Sequence, residues 1–394
     1  MGIFTNASKA LRENIREYGM YIALAVIITI FTILTDGVFI SSRNISNLLN
    51  QTGYIAVLAV GMTLVIVIRH IDLSVGFLAG FLGAIAAIAM VFWHLPVWLV
   101  ILLVLALGVV AGLITALPVA KLGIPSFVAS LAGWLIYRGA ILLVTEETGT
   151  IVIPNKTFND IGDGFIPDLP VALQIPGVHT LTLVIGLLAI ILFIVSEIRS
   201  RRTKQSYHFE VLSMDMFIMK LVLISALIGY ITWVLAGYQG LSWTLVIVLL
   251  VAVVYHFVTT QTVLGRHIYA VGGNPEAAEL SGISVQKITL IVFGSMGFLS
   301  ALSGILFTAR LKSATMTAGS LFEMDAIAAA YVGGVSAAGG VGKVIGSLLG
   351  AVVMLSLTSG MNLLGIGIAY QYVVRGLVLV LAVIFDVATR RKSR

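Results

Sequence analysis

From Leu73 to Ala120 the chain carries no Asp, Glu, Lys or Arg, and the same holds from Leu221 to Gly265. A membrane-spanning helix needs about 20 apolar residues, so each interval holds two spans. The first interval breaks at His94-Leu95-Pro96 and the second at Gly237-Tyr238-Gln239-Gly240. Such runs recur throughout: 59% of the 394 residues are hydrophobic and 10% are charged. A soluble domain carries roughly 25% charge, so this chain cannot coat itself in water. Soluble enzymes, fibrous proteins and disordered tails are excluded. The fold class is an all-α polytopic transmembrane bundle.

Cutting at the polar breaks predicts about twelve spans, within a range of about ten to twelve. They lie near 20–40, 52–70, 73–93, 97–118, 125–144, 179–197, 213–235, 242–260, 288–308, 324–336, 344–362 and 368–387. Basic residues collect in cytoplasmic loops, and this accounts for the net charge of +6 without a nucleic-acid surface. Lys9, Arg12 and Arg16 precede the first span, and Arg390, Arg391, Lys392 and Arg394 follow the last. Both termini are therefore expected in the cytoplasm, the ends being residues 1–19 and 388–394. Arg199–Lys204 and the polar stretch 261–287 fall on the same side. The segment 145–178 holds five carboxylates against one lysine and falls outside. One transmembrane domain is expected over residues 1–394. The first apolar segment is followed by Thr35-Asp36-Gly37, not by a small-residue cleavage site, so it reads as a retained helix. With no cysteine, disulfides and thiolate metal sites are excluded.

Several constellations carry chemistry. Within Gly272-Gly273-Asn274-Pro275-Glu276-Ala277-Ala278-Glu279-Leu280-Ser281-Gly282, Asn274 suits an N-cap and Pro275 the first helical position. Glu276 sits where the helix dipole favours an acid, and Gly282 ends the helix. Ala277 and Ala278 are small enough to seat in a partner's groove. This is either a docking helix at the inner membrane face or an ordinary connector. Asp72 lies between two apolar segments, where an acid pairs or lines a wet cavity. Arg69, three residues earlier, is its obvious partner; Asp72 then lines a cavity or marks a plain turn. Glu323 and Asp325 are two apart and do not face one another on a helix, so they cap the tenth span instead of forming a catalytic pair. Gly333–Gly342 contains five glycines and Ser336. It reads as a discontinuous segment near a path or as close helix packing. Gly76-x-x-x-Gly80 and Gly346-x-x-x-Gly350 indicate close packing. The five tryptophans fall mostly near span ends, as interfacial belts do. Gly339-Gly340-Val341-Gly342-Lys343 fails as a phosphate loop, lacking Gly at Ala337 and Ser or Thr at Val344.

Glu276-Ala277-Ala278 followed by Gly282 resembles the coupling loop of bacterial ATP-binding-cassette importer permeases. Ile71-Asp72-Leu73-Ser74-Val75-Gly76 resembles a signature of the ribose/xylose-type sugar permeases. So do Glu323-Met324-Asp325-Ala326-Ile327-Ala328-Ala329 running into Gly333–Gly340, and Gly123-Ile124-Pro125-Ser126-Phe127 with Arg138-Gly139. The resemblance is nearest to permeases for xylose and for multiple monosaccharides. Relative to the shorter ribose type, residues 178–236 add one helical hairpin, which is apolar all round and expected at the periphery. Phe77 replaces a small hydroxyl residue, and Thr358-Ser359-Gly360 replaces Asn-Asn-Gly.

The resemblance implies a non-enzymatic subunit of the bacterial inner membrane, surrounded by lipid and paired with a second copy. An external sugar-binding protein would deliver D-xylose or a related sugar. A cytoplasmic ATPase, the user of ATP, would dock at Gly272, Gly273, Asn274, Glu276, Ala277, Ala278 and Gly282. This chain is expected to bind no cofactor and no metal. Candidates for the translocation path are Asp72, Ser74, Glu323, Asp325, Ser336, Asn362 and Gln371. A branched-chain amino-acid or nucleoside permease of the same superfamily is the near alternative, and an ion-coupled secondary transporter the remote one.

Overall fold

The computed structural model describes residues 15–391 apart from 208, 210 and 212. Lys9, Arg12, Lys392 and Arg394, on which the expected orientation partly rests, lie outside the described residues. Among the described residues the chain is helical except for short connectors and one two-residue antiparallel pair, β1 (Ile151–Val152) with β2 (Ser313–Ala314). The long helices are α1 (Ile15–Leu34), α2 (Ser42–Val67), α3 (Val75–Val91), α4 (Val97–Leu122) and α5 (Ser126–Thr145). A short α6 (Lys156–Asp163) precedes α7 (Thr180–Ser206), α8 (Met214–Ala236) and α9 (Trp243–Gln261). Two short helices, α10 (Val263–Gly273) and α11 (Pro275–Leu280), lead into α12 (Val285–Leu311). The chain closes with α13 (Phe322–Val332), α14 (Val344–Leu363) and α15 (Ile368–Arg391). Two compact units emerge, one of residues 40–47 and 165–243 and the other of the remainder.

In the larger unit α12 is the central post, with Phe293, Met296, Leu299 and Ala301 fully buried. Its 27 residues span about 40 Å at 1.5 Å per residue. Helix α4 packs on it through small residues: a Cβ at Gly108 would lie 2.4 Å from the Gly297 carbonyl oxygen, so the two backbones touch. The Ser303 hydroxyl donates to the Tyr54 carbonyl at 2.9 Å, while Gly61 faces Met296. Helix α2 therefore runs antiparallel to α12 and ends near its start. Helix α3 begins elsewhere, because its Ala79 carbonyl backs onto Gly304 in the last third of α12. Residues 68–74 are non-helical and return the chain inward, so α3 starts inside the bundle.

The segment before α13 mirrors this. The expected tenth span, near 324–336, is an 11-residue helix, about 16 Å long and too short to cross a membrane. Residues 315–321 fold back against α3, and a Cβ at Gly76 would lie 2.5 Å from the Gly319 carbonyl oxygen. The glycine-rich stretch then stops the helix: Gly334, Gly339 and Gly340 all have positive φ, which favours glycine. Among the described residues nine helices are long and apolar enough to cross a membrane, with shorter apolar helices at Gly19–Leu34 and Val75–Val91. The protein is a multi-pass membrane bundle with two broken segments.

The smaller unit contains the hairpin α7–α8, at the position of the expected insertion. Asp168 accepts from the Thr180 and Leu181 N–H groups at 3.0 and 2.8 Å, capping α7. Lys220 and Glu197 tie the hairpin at 2.8 Å. Leu187, Leu192, Leu223 and Trp233 leave an apolar surface exposed.

Candidate functional site

The two broken segments bring two helix N-termini together. Asp72, 2% exposed, lies in the non-helical chain before α3. One oxygen of its carboxyl group accepts from the Ser74 N–H at 2.9 Å and from the Ser74 hydroxyl at 2.6 Å. The neighbouring Ile71 is fixed to α5, its N–H donating to the Ser126 hydroxyl at 3.2 Å and its carbonyl accepting from Ser130 at 3.3 Å. Ser126 belongs to the Gly-Ile-Pro-Ser-Phe block, which thus anchors the first broken segment. Arg69 does not pair with Asp72 as its spacing suggested. Arg69 has a positive φ of 67°, and its guanidinium donates to the carbonyls of Gly272 and Gly273.

Glu323, in the first turn of α13 and 1% exposed, meets the first turn of α3 at Gly76. Its Oε1 accepts from the Trp134 indole N–H at 3.1 Å, and its Oε2 has no partner. The Phe77 ring stands edge-on to Trp134 at 4.9 Å, and the Arg138 guanidinium lies 4.9 Å from the Phe77 centroid. Neither Ser74 nor Leu321, the N-caps of α3 and α13, makes a side-chain cap bond. The first-turn N–H groups are therefore not capped from their own N-cap side chains. Trp134 is not an interfacial anchor: it is partly buried, part-way along α5, beside a carboxyl group. Its link to Glu323 crosses 189 residues of sequence, and no local pattern announces it. At one depth of the bundle the arrangement thus offers a carboxyl oxygen that can accept hydroxyl groups and aromatic rings that can pack on a C–H face.

The second element is the corner between α10 and α11. Asn274 Oδ1 accepts from the Ala277 N–H at 3.1 Å, with Pro275 at the first helical position. Gly282 has φ +83°, the left-handed conformation that ends a helix. Its Cβ position is open, with nothing within 4 Å, so a side chain there would strain the backbone without clashing. Glu276 and Ala277 face outward, but Ala278 is 4% exposed and belongs to this chain's own core. It cannot seat in a partner's groove as expected, since the helix turns that face inward. Leu280, which the motif reading passed over, is 91% exposed at the tip of the helix. It stands beside the outward-facing Glu276 and Ala277 on the exposed face of α11.

Residues 44–383 match the family described as branched-chain amino acid transport system / permease component. The chain belongs to this family. The permease is 40% identical to the xylose transport system permease protein of Haemophilus influenzae, over 96% of this chain and 98% of that one. It is 37% identical to the xylose transport system permease protein of Escherichia coli strain K12, covering 96% of this chain and 94% of the relative. To the ribose import permease protein of Haemophilus influenzae it is 35% identical, over 94% and 93%. No solved structure matches.

In this permease the remaining path candidates fall into separate networks. Asp325 is held by Arg375, 3.3 Å from either carboxyl oxygen, and Arg375 also donates to Thr358 at 2.9 Å. Thr358 stands where the family pattern has Asn, and here it serves this cation. Gln371 donates to Asn362 at 2.7 Å across the turn between α14 and α15. Ser336 faces Asp386 at 3.5 Å. Asp72, Ser74 and Glu323 share the mid-bundle site, whereas Asp325, Ser336, Asn362 and Gln371 are engaged with other partners. Among the described residues no group of three or more His, Asp or Glu could hold a metal.

Proposed function

We propose that this permease is the membrane-spanning subunit of an ATP-binding-cassette importer, carrying a monosaccharide, D-xylose or a close relative, across the bacterial inner membrane. Near full-length similarity to two xylose permeases carries the reading. The family description names branched-chain amino acids, so a zwitterionic substrate is the second reading. The mid-bundle chemistry favours the sugar. The free oxygen of Glu323 and the ring of Trp134 suit a neutral polyol, and the nearest cation, Arg138, lies over the Phe77 ring.

In this reading the chain makes and breaks no covalent bond and holds no nucleotide. An ATPase docks at Glu276, Ala277 and Leu280 on the cytoplasmic side, and an external binding protein delivers the sugar. A second copy of the chain, in the surrounding lipid, completes the translocation unit. ATP-driven movement of the docked helices alternates access to Asp72, Ser74 and Glu323, a coupling of binding free energies between distant sites. Reconstitution with the ATPase and binding protein tests it. Uptake of labelled D-xylose should require ATP, stop with vanadate and resist excess leucine. Uptake driven by a proton or sodium gradient without ATP, or displacement of xylose by leucine, would overturn the assignment.

A further inference from the structure

The end of α2 is built in an unusual way. The Arg69 N–H donates to the Ile66 carbonyl at 2.9 Å and the His70 N–H to the Val65 carbonyl at 3.0 Å. This is the paired closure of a helix whose next residue is left-handed, a position that strongly favours glycine. Arginine stands there instead, at φ 67°, in a conformation that costs backbone energy in any residue with a Cβ. Such a residue persists where its surroundings hold it and its side chain has work elsewhere.

That work is visible. The guanidinium Nε donates to the Gly272 carbonyl at 2.7 Å and its Nη2 to the Gly273 carbonyl. These carbonyls end α10, where the last turn lacks intrahelical partners and the dipole favours a cation. Two further bonds meet at this point. The Gly340 N–H donates to the Val67 carbonyl at 2.8 Å, and the Tyr269 hydroxyl donates to the Gly342 carbonyl at 2.5 Å. The end of α2, the α10–α11 corner and the glycine-rich loop after α13 are thus knotted together. From the knot, one strand of chain runs directly to Asp72 and the first turn of α3. The other runs back through Gly333 to α13, which carries Glu323.

We propose that Arg69 is a positioning residue that transmits movement of the docking helix to the mid-bundle site, by fastening the α10–α11 corner to the broken segment before Asp72. The inference rests on docking at α11, and the test separates the two. Glycine at position 69 keeps the left-handed backbone, and relief of its strain offsets part of the two lost bonds, so Arg69→Gly should fold, reach the membrane and retain the ATPase, with at most a small drop in thermal midpoint. Uptake of labelled D-xylose per ATP hydrolysed should fall at least about fivefold, with partial recovery in Arg69→Lys, a donor lacking the planar fork. Wild-type uptake per ATP in Arg69→Gly, or a loss matched by a lowered midpoint and not recovered by lysine, would overturn the proposal. In parallel, Leu280→Asp should release the ATPase from the purified complex. If that variant retains it, docking at α11 is wrong, whatever the Arg69 series reads.

Discussion

Gly76→Ala probes the closest approach in the candidate site. The added Cβ would lie 2.0 Å from Glu323 Oε2 and 2.5 Å from the Gly319 carbonyl oxygen. The carboxyl group can swing, but only by straining its 3.1 Å bond from Trp134. The Gly319 carbonyl is backbone in a left-handed turn at φ +84° and cannot yield without moving residues 315–321. Overpacking of this kind costs about 1–3 kcal/mol, against a helix-propensity gain of at most about 1 kcal/mol. The net is a destabilisation of about 1–2 kcal/mol, or a midpoint lowered by roughly 1–3 °C in a chain of this length. Gly139→Ala in α5 is the control, because nothing lies within 4 Å of its Cβ position; it should be neutral or slightly stabilising. The assay is tryptophan-fluorescence melting of the purified permease, with D-xylose uptake measured alongside. Uptake should fall in Gly76→Ala, since Glu323 is displaced. Equal midpoints for the two variants, with uptake intact, would refute the contact between α3 and the folded-back segment.

Three further outcomes are expected. Glu323→Gln keeps an acceptor for Trp134 but puts an amide NH2 where the free Oε2 stands; losing one acceptor bond of about 0.5–1.5 kcal/mol should lower uptake roughly 2- to 10-fold at normal membrane levels, measured with labelled sugar. Arg375→Ala leaves Asp325 partly buried and unpaired, side chains at 21% and 16% exposure, and should destabilise by about 2–4 kcal/mol, below the fully buried limit. The double variant Arg375→Gln with Asp325→Asn should regain most of that in thermal melting, and failure to do so would deny the pair. Glu147→Cys should react with an impermeant maleimide on intact cells and Arg202→Cys only after lysis; the reverse pattern would invert the assigned orientation.

The short helix α11 was legible in sequence because its determinants are local. An Asn cap, a Pro at the first position and a terminating Gly act within nine residues of one another, and the structure returns each in that role. Where the local reading failed, a distant partner intervened. Ala278 looked like Ala277 in sequence, but helix orientation turned it into the core. Arg69 looked like a partner for Asp72, three residues away, until the carbonyls of Gly272 and Gly273 claimed it. The glycine-rich stretch 333–342 read either as a break or as close packing, and its positive-φ glycines make it a break. Residues 315–321 fold against α3 and the positive-φ glycines lie beyond Val332, so the helix runs over 11 residues, Phe322–Val332, where 324–336 was expected.

The sequence by itself determined a membrane bundle, its apolar segments, its glycine-rich break and its family, because hydrophobic run length and short motifs are local properties. Only the tertiary structure decided which polar residues meet. Glu323 finds Trp134 across 189 residues and Arg69 finds Gly272 across 203. In an apolar bundle each buried polar group must find a partner or remain open for a ligand. Which partner it finds depends on how deep each helix begins, and that depth is set where α2 stops at Arg69 and α3 restarts inside the bundle after Asp72.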